Sequence, residues 1–193
     1  MLDKIIALDT RLFLWLNGHH SVFWDNVMWH ISGKIEWSPL YLILAGYIIY
    51  RYRLNSIPII IAVAVAILLA DQLAVDLFKN VFQRLRPTYN PEIQNIVHTV
   101  NNYTGGSYGF ISNHAANTFA LATFLSFLFK NRSFTLSILL WATIVSYSRI
   151  YLGVHYPGDV LGGMLFGSLI GWLIFILYEW TEEKIKLRRS IFP

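Results

Sequence analysis

His155 and Asp159 lie four residues apart in the run Ser148-Arg149-Ile150-Tyr151-Leu152-Gly153-Val154-His155-Tyr156-Pro157-Gly158-Asp159, between two long apolar segments. The run holds an imidazole that can attack an electrophile, a carboxylate that can orient it and a guanidinium that can hold an anion. Such groups are costly near a bilayer core, where an apolar residue is the default. A second cluster is Lys79-Asn80-Val81-Phe82-Gln83-Arg84-Leu85-Arg86-Pro87. Lys79 and Arg86 are about two helical turns apart, on one face of a continuing helix. Together they could grip a multiply charged anion, Lys as a point charge and Arg as a planar fork. Asp76 reads as an intrahelical partner for Lys79. Asp71, deeper, reads as hydrogen-bonded within the bundle. A third cluster, Ser112-Asn113-His114, opens another apolar segment. Ser112 is a natural N-cap, so first-turn amides and the positive helix end would face an anion, and His114 could give a proton to a leaving oxygen.

The elements that must position these groups are membrane helices. Hydrophobic residues make up 55% of the 193 positions and charged residues 13%, and mean hydropathy is +0.49, too apolar for a typical soluble domain. No linker, internal repeat or signal-peptide pattern stands out, so residues 1–193 read as a single transmembrane domain. There is no cysteine, hence no disulfide framework and no Cys metal site. The net charge of +4 sits mostly at segment ends and near the C-terminus, which suits anionic lipid and not nucleic acid.

Five apolar spans are predicted at 37–50, 57–78, 113–129, 133–150 and 157–178. Residues 3–17 read as an amphipathic interfacial helix, with Ile5, Ile6, Leu12, Phe13 and Leu16 on one side and Asp9 as a blemish in that stripe. The Trp-rich segment 21–33 counts as a partly buried first span, for about six transmembrane helices, all-α. Arg51, Arg53, Lys130, Arg132, Lys184, Lys186, Arg188 and Arg189 fall at one set of ends, which the positive-inside rule puts in the cytoplasm with both termini. Lys79, Arg84, Arg86 and Arg149 fall at the opposite ends, where a ligand explains them better than topology does. Lys34 belongs to no cluster and reads as a headgroup-snorkelling side chain. His19, His20, His30 and His98 read as interfacial or structural. Residues 88–111 are either a lid or a passive surface loop. Gly163, Gly167 and Gly171 form a stripe for close helix packing within the chain.

Lys-x6-Arg-Pro (Lys79 to Pro87), Ser-x-His (Ser112 to His114) and Ser-Arg-x5-His-x3-Asp (Ser148 to Asp159) together resemble the ordered signatures of the type 2 phosphatidic acid phosphatase superfamily. The second departs from the family's usual Pro-Ser-Gly-His, with Ile111 and Asn113 in place of Pro and Gly. The resemblance implies that His155 is the nucleophile of a phosphohistidine intermediate, Asp159 its orienting carboxylate and His114 the general acid. It also implies that Lys79, Arg86, Arg149, Ser112 and the Asn113 amide bind the phosphoryl oxygens, with Arg84, Ser148 and Asp76 further out. No metal or other cofactor is expected. The expected activity is hydrolysis of a lipid phosphate at the periplasmic face of a bacterial inner membrane, with undecaprenyl diphosphate as first substrate. Lipid A and phosphatidylglycerol phosphate follow. A phosphotransferase using the same nucleophile is the next reading, and a non-catalytic lipid transporter the last, since it leaves the His155–Asp159 pair unexplained. Membrane spans disfavour a haloperoxidase.

Overall fold

The computed structural model describes the backbone of residues 2–191 and the side chains of residues 3–185. The side chains of Lys186, Arg188 and Arg189 therefore lie outside the described residues. Among the described residues the regular structure is helical, joined by turns and a long irregular connection at 83–112, with one isolated antiparallel bridge between Leu85 and Tyr108. In order come α1 (Leu2–Asn17), α2 (Val22–Ser32), α3 (Ser38–Tyr52) and α4 (Ser56–Ala74). A π-helical turn, Val75–Lys79, carries α4 into α5 (Asn80–Phe82), and α6 (Asn113–Phe129), α7 (Arg132–Tyr151) and α8 (Pro157–Ile191) complete the bundle.

The helix boundaries follow local chemistry. Asn131 Oδ1 caps α7 by accepting the Phe134 amide at 2.9 Å, and Pro157 starts α8 where its missing N–H costs nothing. Three helical stretches are long and apolar enough to cross a membrane: Ser38–Phe82, Arg132–Tyr151 and Pro157–Ile185. The first is not one rod. Arg53, at φ 55, turns the chain back, and Leu44 and Ile48 of α3 join Ile59 of α4 in the same core cluster.

A core of α4, α6 and α8 supports the predicted site. A Cβ on Gly163, Gly167 or Gly171 would run into the backbone oxygens of Ser112, Ala116 and Ala120 in turn. Both series ascend, so α6 and α8 run parallel in close contact, as the glycine stripe predicts. Helix α4 runs the other way against α6: Asp71 meets Asn113 and Asn117, while Ile59 packs with Phe124 and Leu125. The site end therefore gathers the end of α4, the starts of α6 and α8, and the end of α7. At the other end Tyr52 donates to the Leu128 carbonyl at 3.4 Å, and Lys130 pairs with Glu179 at 3.4 Å. The turns bearing Arg53, Lys130 and Arg132 are thus grouped there, as expected.

The segment 21–33, read above as a first span, lies differently. Ser21 before α2 contacts the Tyr151 hydroxyl, and Ser32 at its far end accepts from Arg149. Both ends of α2 meet the last turn of α7, so α2 lies along the site end. At 11 residues it spans about 16 Å, half a hydrocarbon core.

Candidate active site

Helix α5 ends at Gln83, whose left-handed backbone (φ 46) turns the chain out of the helix. Residues 84–86 then run extended beside 107–109: the Arg86 amide donates to the Ser107 carbonyl at 3.0 Å, and the Gly109 amide to the Arg84 carbonyl at 2.8 Å. Arg86 therefore reaches the site from an extended clip, and not from the helix face expected from its spacing to Lys79. Its guanidinium lies against Gly105 (φ +69), where any side chain would meet Arg86 Nη1. Gly109 is needed for a similar reason, since a Cβ there would sit 2.9 Å from Asp159 Oδ2 and 3.1 Å from Arg86 Cγ.

His155 occupies the short connection between α7 and α8 and is 1% exposed. Its Nδ1 lies 3.5 Å from Asp159 Oδ2. Burial, then the charges of Arg86, Arg149 and Lys79, hold its imidazole well below the ordinary histidine range, so it is neutral near pH 7. Asp159 is fully buried: Oδ2 accepts the Tyr156 amide at 3.0 Å, and Oδ1 accepts Arg84 Nη1 at 2.7 Å.

His155, His114, Lys79, Arg86, Arg149 and Asn113 all line one cavity of about 480 Å³. Its polar end carries Lys79, Arg86 and Arg149, none of which is ion-paired among the described residues. Arg86 Nη1 and Arg149 Nε are buried without a hydrogen-bond partner. Cations held this way call for an anion. Arg149 is fixed by Ser32 Oγ and by the Tyr103 hydroxyl at 3.1 Å, with its guanidinium 5.3 Å from the Tyr103 ring centre. The opposite end is apolar, walled by Trp37, Tyr41, Ile67, Leu121, Trp141 and Val145. An anion-binding mouth over an apolar chamber suits an amphiphile.

Several expectations need correction. Ser112 stands at the N-cap position of α6, yet its hydroxyl makes no cap and is buried without a partner, while its amide donates to the Asp159 carbonyl at 3.0 Å. Ser148 is turned into α7, donating to the Val145 carbonyl at 2.6 Å. Asp76 is exposed and makes no ion pair with Lys79 among the described residues. The π turn explains this, because its smaller rotation per residue takes Asp76 off the Lys79 face. Lys34, read as a lone snorkelling side chain, lines the cavity through the α2–α3 turn.

Other residues escaped the sequence reading. Asp9, the blemish in the α1 stripe, accepts Arg84 Nη2 at 2.7 Å and the Gly158 amide at 2.8 Å. Arg84 thus clamps Asp9 and Asp159 together over the Tyr156 ring, 4.0 Å from its centre. His20, Asp25 and His98, far apart in sequence, come within 4.8 Å through their ligand atoms. The His20 and His98 rings are parallel and stacked at 3.7 Å, so their lone pairs do not converge. Asp25 Oδ1 already bonds His98 Nε2 and the Tyr151 hydroxyl. This cluster pins the 88–111 segment to α2 and α7.

The profile of the PAP2 superfamily matches residues 59–183, a stretch that contains all three motifs. The chain belongs to the PAP2 superfamily. It is 40% identical to a lipid A 4'-phosphatase of Bacteroides thetaiotaomicron over 92% of this chain and 80% of that protein. It is 30% identical to phosphatidylglycerophosphatase B of Bacillus subtilis over 83% of this chain and 75% of that protein. In fold it is similar to the crystal structure of LpxE from Aquifex aeolicus, with a TM-score of 0.66 at 24% identity, covering 86% of this chain and 94% of the other. The chain is thus a membrane phosphatase of the PAP2 superfamily that hydrolyses lipid phosphate esters.

Proposed function

We propose that this PAP2 phosphatase works through a phosphohistidine on His155 and that its substrate is a phosphorylated glycolipid of the lipid A type. The observation that carries the mechanism is a neutral buried imidazole, backed by Asp159, on the same cavity as three cations without carboxylate partners. Lys79, Arg86 and Arg149 hold the phosphoryl oxygens, where transition-state charge is spread. With Nδ1 turned to Asp159, His155 Nε2 attacks phosphorus while the phosphorus–oxygen bond to the lipid breaks. His114 gives its proton to the departing oxygen. Water then attacks the phosphohistidine and returns a proton to His114, inorganic phosphate leaves, and His155 is regenerated. Asp159 fixes the tautomer and steadies the cationic imidazole of the intermediate.

The glycolipid reading displaces undecaprenyl diphosphate because the 40%-identical relative, matched over 92% of this chain, is named for lipid A. In the bilayer, α3, α4, α6, α7 and α8 make five crossings, α1 and α2 lie in the interface at the site end, and the Arg53, Lys130 and Arg132 end faces the cytoplasm. In a bacterial inner membrane the site then opens to the periplasm. The deciding experiment is His155→Ala in detergent. Phosphate release from lipid A should fall at least about a thousandfold, with the thermal transition retained. Turnover within a few-fold of the parent would end the nucleophile assignment.

A further inference from the structure

Below the cations, the cavity carries a band of hydrogen-bond acceptors that phosphate binding does not use. Asn113 Nδ2 donates to Asp71 Oδ1 at 2.9 Å and to the Asp71 carbonyl at 3.1 Å, and Asn117 Nδ2 donates to Asp71 Oδ1 at 2.9 Å. Both donors of Asn113 and one of the two on Asn117 are spent on Asp71, which fixes the orientation of both amides. The carbonyl oxygens Asn113 Oδ1 and Asn117 Oδ1 are then buried with no partner, and both residues line the cavity with Asp71. A buried acceptor left unsatisfied is costly, so two side by side ask for a donor from outside the protein.

The sign of this band excludes the simplest occupant. A second phosphate, such as that of a diphosphate, has no free donor at neutral pH and would be repelled by the Asp71 carboxylate. A hydroxyl or amide N–H is complementary to it. Asn117 lies one turn below His114 on α6, the depth at which the leaving group sits when His114 protonates its oxygen. Farther in, Trp141 Nε1 is a buried donor with no partner on the apolar wall of the same cavity. It suits the carbonyl at the head of an acyl chain.

We infer that Asp71, Asn113 and Asn117 form a leaving-group subsite that reads hydroxyl and amide donors, making the enzyme selective for phosphate esters of acylated sugars. This rests on the hydrolase reading above. A site built to bond a substrate donor rejects analogues that lack it much more strongly than an apolar pocket discriminates by size.

The test is a ratio of kcat/KM values measured on the full chain in detergent. Lipid A supplies sugar hydroxyl and amide donors beside the phosphate. Phosphatidic acid and undecaprenyl diphosphate supply none on their leaving groups. The parent should favour lipid A over both. Asn117→Leu should lower the lipid A to phosphatidic acid ratio by about 10-fold or more, and Asn113→Gly, which removes one acceptor and keeps the backbone, should lower it in the same direction. An unchanged ratio in a folded Asn113→Gly variant, or equal losses on both lipids, would overturn the subsite and leave the hydrolase reading standing. Absence of phosphate release from all three lipids by the parent would overturn both.

Discussion

Asp159 is held by two groups while it faces His155, and that makes it sensitive to residues that never touch substrate. It faces His155 Nδ1, takes the Tyr156 amide and shares Arg84 with Asp9. Two carboxylates on one guanidinium leave the cluster net negative, which would support the cationic imidazole of the proposed intermediate. In Asp9→Asn the Gly158 amide keeps its acceptor, but Arg84 bears on Asp159 alone. The local potential becomes more positive, so His155 is harder to protonate and its cationic stage less stable. The parent, whose imidazole is already held down by burial and three cations, should show the acid limb of its kcat/KM profile below about pH 6.5. Asp9→Asn should move that limb lower still and reduce kcat by about 10-fold, with KM little changed. Loss of a partly buried charge-assisted bond should also cost about 2 kcal/mol of stability. A purely structural role for Asp9 would lower the thermal transition and leave the pH limb where it was. The pH series on both proteins separates the two.

At the scale of elements, the parallel contact of α6 with α8 brings the proposed general acid and the proposed nucleophile to one level. His114 is the second residue of α6, and His155 precedes α8 by two residues. The Ser112 amide bonded to the Asp159 carbonyl sets their register. Below that bond, Gly167 lies so close to the Ala116 backbone that a side chain has no room. Gly167→Val should force α6 and α8 apart, cost about 1–3 kcal/mol in thermal stability and reduce turnover even in the folded fraction. Full activity in that variant would separate the helix contact from the chemistry. This contact was legible beforehand, because glycines every four residues mark one helix face. So were the long apolar helices and the three motifs, since hydropathy and residue type fix those directly. What stayed hidden depended on non-local pairing. Asp9 finds Arg84 75 residues away. Lys34 enters the cavity only because α2 folds along the bundle end. The helix-spacing argument for Lys79 and Arg86 missed the change of backbone at Gln83, where a left-handed residue starts the extended clip.

At the scale of the whole molecule, the contacts of α1 and α2 support the five-crossing topology proposed above over the six crossings expected from hydropathy. Asn17 at the end of α1 donates to the Tyr151 carbonyl at 2.8 Å, and Asp9 meets Gly158 at the start of α8. Tyr151 and Gly158 both belong to the site end, so α1 lies across that end. From Asp9 back to Leu2 there remain about 10 Å of helix, too little to cross a core of about 30 Å. On the proposed topology its outward Ile5, Ile6, Leu8, Leu12 and Trp15 would contact the headgroup and acyl boundary, as an interfacial helix requires. Residue 4 should therefore share a compartment with the active site and not with the α6–α7 turn, in contrast to the six-crossing expectation with both ends in the cytoplasm. The chain has no native cysteine, so single reporters can test this without a background. Lys4→Cys and Gly106→Cys should react with a membrane-impermeant maleimide on cells whose outer membrane has been opened, while Ser133→Cys should react only after the inner membrane is lysed. Gly106 is suited to the purpose because nothing lies within 4 Å of a Cβ there. Protection of Lys4→Cys together with Ser133→Cys would restore a sixth crossing and require α1 to leave the site end, breaking the Asp9–Arg84 contact on which the sharing of Asp159 depends.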